Sequence, residues 1–173
     1  LTRPSTFPFA RFSVRGVENI PKTGPAILVA NHRSYFDVAA VAMVVARSGR
    51  TVRFLGKKEV FDAPIIGQIA TAMGGIRVDR GTGSDEPLLA AADALSIGEM
   101  VAIMPQGTIP RGREFYEPVL KGKWGTARLA AQVKAPVVPI GLWGTEHVWP
   151  RNSRVPNVLN IANPPKVRIR SEE

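Results

Sequence analysis

Cysteine is absent from this 173-residue sequence. That excludes disulfides, thiolate nucleophiles and zinc–thiolate sites. Histidine is nearly absent as well. His32 and His147 are the only two, too few for a histidine-rich metal site, and no metal is expected. Long apolar runs are missing. The longest, Val38 to Ala46, has nine residues, whereas a membrane span needs roughly 20. Any membrane contact made by these residues is therefore expected to be peripheral. Acidic residues are scarce: 14 Asp and Glu stand against 23 Lys and Arg, for a net charge of +9. Such a surplus calls for anionic partners. The cations are scattered and aromatic residues make up only 7%. Nucleic-acid binders concentrate both, so no nucleic acid is expected.

What remains is an ordinary globular composition without repeats or low-complexity segments. The sequence runs from Leu1 to Glu173 and stops directly after a strand-like run. It is expected to be one domain, residues 1–173, belonging to a longer chain. Short apolar runs alternate with helix-compatible stretches. Strands are expected at 26–30, 52–55, 76–78, 99–104, 137–142 and 167–170. Helices are expected from Ser34 or Tyr35 to about Arg47, over 64–73, from a Ser84-Asp85-Glu86-Pro87 start through Leu95, and over 125–133. Residues 1–20 and 145–165 give weak signals. This alternation implies an α/β fold, a mostly parallel sheet flanked by helices. Ligands of such sheets sit beyond the carboxyl ends of the strands. Functional residues are accordingly expected just after Ala30, Val78, Met104 and Leu142.

Four segments stand out. In Asn31-His32-Arg33-Ser34-Tyr35-Phe36-Asp37 a histidine precedes a carboxylate by five residues. A neutral histidine can take a proton from an alcohol, and a carboxylate on its other ring nitrogen fixes the tautomer. On a regular helix the two side chains would point roughly 140° apart. They can meet only if His32 lies in a turn before the helix. The plainer alternative is a turn histidine followed by an acid placed at a helix N-terminus by the dipole. Gly74-Gly75-Ile76-Arg77-Val78-Asp79-Arg80 offers glycines for close backbone approach and arginines for phosphate, one of which can equally be plain surface. Met104-Pro105-Gln106-Gly107-Thr108, with Arg111 close behind, forms a turn suited to an oxyanion or a tight loop shaped by its prolines and glycines. Pro139, inside Val137-Val138-Pro139-Ile140, argues for an edge strand or a strand end.

These four blocks, in this order across residues 26–142, resemble the glycerophospholipid acyltransferases, best known from the 1-acylglycerol-3-phosphate acyltransferases. That family shows Asn-His-x4-Asp, a Gly…Arg block, Phe-Pro-Glu-Gly-Thr-Arg-Ser and Val-Pro-Ile/Val. Lys58-Glu59-Val60-Phe61 resembles its Lys-Glu-Leu segment, and the Phe115 to Ala130 stretch also fits. The resemblance implies the glycerol-3-phosphate acyltransferase-like fold and transfer of a fatty acyl group to a lysophosphatidate hydroxyl. His32 would be the general base and Asp37 its orienter. Arg80 would hold the acceptor phosphate, with Lys58 a further contact. Gln106, Gly107 and Thr108 would line the acceptor site, helped by Arg111 or Arg113. Pro139 would shape the acyl-donor side. The donor would be acyl-CoA or acyl-ACP, used as co-substrate with no bound cofactor and no metal. The partners implied are lysophospholipid, acyl thioester and an anionic membrane surface. The location implied is the cytoplasmic face of the cell membrane, peripheral or anchored by segments outside these residues.

Three residues depart from the family pattern. Gln106 stands for its Glu, Met104 for its Phe and Ile109 for its Arg. These bear on acceptor identity more than on reaction class. A binding module for acidic lipid or nucleic acid, without chemistry, is the competing reading, and retention of both His32 and Asp37 argues against it.

Overall fold

Ala26, Leu28 and Ala30 point to one side of their strand, and Ile27 and Val29 to the other. Both sets are apolar. Such a strand belongs in the middle of a parallel sheet covered on both faces, and that is where it lies. The computed structural model describes residues 8–64, 66–72, 74–78, 85–117, 119, 121–153 and 155–172. Its strands are β1 (Arg11–Arg15), β2 (Ala26–Ala30), β3 (Arg53–Lys57), β4 (Ile76–Val78), β5 (Met100–Ile103), β6 (Val137–Trp143) and β7 (Lys166–Ser171). Its helices are α1 (Asp37–Arg47), α2 (Lys58–Asp62), α3 (Ile66–Ala72), α4 (Glu86–Ser96), α5 (Gly125–Val133) and α6 (Thr145–Val148). The seven strands form one sheet in the order β1-β7-β6-β2-β5-β3-β4. Every pairing is parallel except β6 with β7. The expected fold class, a mostly parallel mixed sheet flanked by helices, is the one observed.

The core divides with the sheet. Leu28, Met100, Ala102, Ile140 and Ile169 pack with Val41, Val44 and Val45 of α1. Ile27, Val101 and Ile103 pack on the opposite face with Ala91 and Leu95 of α4 and Leu129 of α5. Since β6, β2, β5, β3 and β4 are mutually parallel, their carboxyl ends share one edge of the sheet. The segments beginning at Asn31, Lys58, Met104 and Gly144 leave the sheet along that edge.

Five elements differ from expectation. Helix α1 begins at Asp37, because Ser34–Phe36 form a turn. β1, α2 and α6 were not foreseen. Pro139 lies in β6, an interior strand flanked by β2 and β7, and marks neither an edge nor a strand end. Its carbonyl accepts from the Glu172 N–H (3.1 Å). A strand residue's N–H and C=O point the same way, so the missing Pro139 donor also faces the end of β7. It costs no bond to β2.

Of the two glycines before β4, Gly74 answers to backbone conformation, with φ +69°, and Gly75 to packing. A Cβ on Gly75 would stand 2.7 Å from the Ala70 carbonyl oxygen and 2.9 Å from the Phe61 ring. Arg77 makes an exposed ion pair with Asp62, so it is surface. Ser84, Asp79 and Arg80 lie outside the described residues.

Asp85 is the residue before α4, but its carboxylate does not cap the helix. It takes both guanidinium nitrogens of Arg128 on α5, at 3.1 and 2.8 Å. That arginine's hydrogen bonds and charge hold the Asp85 carboxyl below its ordinary value of 3.8. A depressed carboxylate contributes stability above its unfolded pKa and loses it as pH falls through the folded one. The pair is exposed, so the effect is small. Thermal melts should show Arg128→Ala slightly less stable than wild type near neutrality. The gap should close as pH falls below 3.8 and through the lowered Asp85 pKa.

Candidate active site

β2 ends at Ala30, and the chain turns before α1 begins. That turn brings His32 and Asp37 together: His32 Nδ1 lies 2.9 Å from Asp37 Oδ2. The same oxygen accepts the backbone N–H groups of Arg33 (2.6 Å) and Ser34 (2.7 Å). The two placements that this spacing allows therefore coexist. Asp37 opens α1 as a dipole-favoured acid, and it also holds the histidine. An acceptor oxygen facing Nδ1 requires the proton on that nitrogen. The lone pair then sits on Nε2. Asp37 is fully buried, whereas the His32 side chain is 18% exposed. The carboxylate is sealed behind the imidazole, and the imidazole reaches the surface.

The turn itself is fixed by its neighbours. Ser34 is buried and its hydroxyl lies 2.9 Å from the Thr145 carbonyl and 2.7 Å from that of Trp149. The same oxygen accepts the Phe36 N–H (2.9 Å). Asn31 extends the β2–β6 pairing with its side chain. Its Nδ2 donates to the Leu142 carbonyl (2.9 Å), and its Oδ1 accepts the Leu142 N–H (2.6 Å). His32 is thus held from three directions, by β6, by α6 and by the start of α1.

Arg33 was not singled out from the sequence. Its guanidinium carbon lies 4.3 Å from the Phe115 ring centroid and 4.8 Å from that of Trp143. Its Nε is 3.5 Å from Glu146 Oε1, with both side chains mostly buried. Glu146 Oε2 in turn accepts the Gly144 N–H (3.0 Å). Gly144 has φ +86°, and a Cβ there would fall 2.1 Å from the Lys166 carbonyl oxygen, so only glycine fits. This network welds the 112–116 turn, β6 and α6 around the residue next to the histidine. The sequence signal was faint: one arginine within a motif, with partners some 80 and 110 positions away.

The Met104–Thr108 loop leaves the neighbouring strand. Val29 pairs with Ile103, so His32 and Gln106 each lie three residues past a matched pair. Gly107 takes φ +68° and its N–H donates to the Met104 carbonyl (2.9 Å), while Lys123 N–H donates to that of Pro105 (2.9 Å). Gln106 Oε1 is buried with no hydrogen-bond partner among the described residues. Thr108 is exposed. Ile109, where the family has Arg, is only 3% exposed and faces inward, so no cation replaces it there. Arg111 and Arg113 are exposed on the segment that carries Phe115 to Arg33. Lys58 is exposed at the first position of α2, on the same sheet edge. Arg80 lies outside the described residues. Pro139 lines a shallow cleft with Asn31, Gly141 and Arg170. Among the described residues, no three His, Asp or Glu side chains converge as a metal ion would require.

The geometry has relatives. The family model described as Acyltransferase matches residues 11–143. The chain is 31% identical over 162 residues to the chloroplastic 1-acyl-sn-glycerol-3-phosphate acyltransferase LPAT1 of Arabidopsis thaliana, covering 92% of this chain and 43% of that protein. It is 30% identical over 160 residues to the chloroplastic 1-acyl-sn-glycerol-3-phosphate acyltransferase BAT2 of Brassica napus, covering 90% of this chain and 43% of that one. The chain thus spans well under half the length of these curated relatives. The crystal structure of the 1-acyl-sn-glycerophosphate (LPA) acyltransferase PlsC from Thermotoga maritima superposes with a TM-score of 0.74 at 27% identity, over 95% of this chain and 61% of that one. The chain belongs to the acyltransferase family and is 1-acylglycerol-3-phosphate acyltransferase-like within it.

Proposed function

We propose that this acyltransferase moves a fatty acyl group from an acyl thioester to the free hydroxyl of 1-acylglycerol-3-phosphate, giving phosphatidate for phospholipid synthesis. The observation that carries the reading is the His32–Asp37 pair, bonded through Nδ1 at 2.9 Å so that Nε2 is the nitrogen left for chemistry. In the proposed step Nε2 takes the proton of the acceptor hydroxyl as its oxygen bonds to the thioester carbonyl carbon. The tetrahedral intermediate collapses, the C–S bond breaks, and the leaving thiolate takes the proton from His32, which restores the neutral imidazole. Asp37 stabilises the imidazolium between the two transfers. A thioester is already activated, so neither metal nor acyl-enzyme is required. The donor is an acyl group on coenzyme A or acyl carrier protein, and it binds as substrate.

The acceptor phosphate is assigned to Arg80, Lys58 and the Gln106–Gly107–Thr108 loop, with Arg111 helping. Gln106 supports an anionic acceptor. Its amide keeps the hydrogen-bonding shape of the family's glutamate and removes one negative charge beside the phosphate. A different lysolipid or a glycerol phosphate is the second reading, favoured by the inward-facing Ile109. Competition between acceptors separates the two. Lysophosphatidate should be acylated at least tenfold faster than lysophosphatidylcholine, whose phosphate is capped by choline, given roughly 1.5–3 kcal/mol for hydrogen bonds to a charged group, and than glycerol 3-phosphate, which lacks an acyl chain whose burial adds about 0.8 kcal/mol per CH₂. Equal rates, or preference for either competitor, would overturn the lysophosphatidate assignment.

A further inference from the structure

Among the described residues, helices α4 and α5 cover β2 and β5 but nothing covers the β1–β7–β6 part of the same face. The outward residues there are Arg11, Ser13 and Arg15 on β1, Lys166, Arg168 and Arg170 on β7, and Val137, Pro139, Gly141 and Trp143 on β6, all exposed. Register sets cation against cation. Arg11 lies opposite Lys166, and Arg15 opposite Arg170. Like charges directly opposed in a sheet cost stability. Among the described residues, the one ion pair these cations make is Arg170 with Glu172 (3.1 Å).

A second, independent feature adjoins this face. Segment 155–165 leads into β7 and turns aliphatic side chains outward: Val155, Leu159 and Ile161 are 67%, 87% and 59% exposed. Its end is tied to the basic strands, because Arg11 donates to the Pro164 carbonyl (3.2 Å) and to Asn163 Oδ1 (3.4 Å). Asn163, Arg11, Lys166, Arg168 and Trp143 line one cleft. Cations beside exposed aliphatics match a lipid surface, where headgroup phosphates meet the charges and the apolar tips enter the acyl boundary. A soluble acidic partner would neutralise the cations but leave Leu159 and Ile161 in water. Trp143 joins this face to the site, since its ring stacks on Arg33 beside His32.

We propose that the bare β1–β7–β6 face and segment 155–165 together form the surface on which the protein sits on an anionic bilayer, with the His32 edge of the sheet turned toward the lipid. This deepens the lysolipid reading above and rests on it for the benefit of that orientation. The test is flotation of the intact protein with phosphatidylcholine vesicles, with and without phosphatidylglycerol. Wild type should bind the anionic vesicles, less as salt rises. Each near-surface cation is worth about a fivefold factor. Lys166→Ala with Arg168→Ala should therefore lower partitioning about 25-fold, and Leu159→Ser with Ile161→Ser should weaken it at low and high salt alike. Both variants should keep wild-type transfer on monomeric short-chain lysophosphatidate, which shows that they fold. If that transfer were absent in wild type too, the reaction assignment would fail, separately from the docking face. Vesicle binding that survives both pairs of substitutions would overturn the proposal. So would loss of binding to acidic acyl carrier protein in the Lys166/Arg168 variant with vesicle binding unchanged.

Discussion

Replacing His32 by alanine is expected to lower acyl transfer by about 10²–10⁴-fold and to leave the fold nearly untouched. The asymmetry follows from the hydrogen bonds. His32 gives Asp37 one donor, and the backbone N–H groups of Arg33 and Ser34 remain on the same oxygen when it is gone. One lost hydrogen bond at a partly open site costs roughly 1 kcal/mol. Turnover and a thermal melt on the same preparation check both halves. Near-wild-type turnover would remove His32 from the chemistry. A collapsed melt would show that the turn depends on the imidazole.

Asp37 should split cleanly into two roles when substituted in two ways. Asp37→Ala removes the acceptor that Arg33 and Ser34 N–H share inside the fold. Two stranded donors at about 1–3 kcal/mol each predict a loss of roughly 2–6 kcal/mol, a large part of a domain's margin. Asp37→Asn keeps an oxygen for those donors and should melt close to wild type. It removes the charge that stabilises the imidazolium, so transfer should fall by an amount comparable to the loss of general-base help, about 10²–10⁴-fold. A fully active Asp37→Asn would reduce Asp37 to a turn bracket. Arg33, by contrast, touches Asp37 only through its backbone, and its side chain belongs to the Phe115–Trp143–Glu146 network.

What the sequence made legible tracks how local each signal is. β2 is apolar on both faces, and its period and bounding turn marked it out. The His32–Asp37 spacing was readable because both partners lie within one turn. β1 was missed for the opposite reason. Arg11–Arg15 alternates polar Arg11, Ser13 and Arg15 with Phe12 and Val14, and it pairs with β7, more than 150 positions later. That alternation is the mark of a half-buried strand, but it is short and its partner lies at the far end of the sequence. α2 and α6 are single turns without a repeating apolar face. Pro139 misled because a proline in a strand usually marks an edge. Here its missing donor faces the last residue of β7, a coincidence of register that no local window contains. Arg33 and Glu146 pair across more than a hundred residues, so their contact exists only once β2 and β6 are neighbours. The bare basic face is likewise a product of register, since Arg11, Lys166, Arg15 and Arg170 are scattered until the sheet aligns them.

The central proposal is acyl transfer from a thioester to lysophosphatidate with His32 as the base. The most direct test is to incubate the intact protein with radiolabelled acyl-CoA or acyl-ACP and 1-acylglycerol-3-phosphate, beside the His32→Ala variant, and to follow label into phosphatidate. Label should appear in phosphatidate with wild type and fall by at least two orders of magnitude with the variant. Folded wild type that forms no acylated product from either donor, or a His32→Ala variant that forms it as fast, would contradict the account.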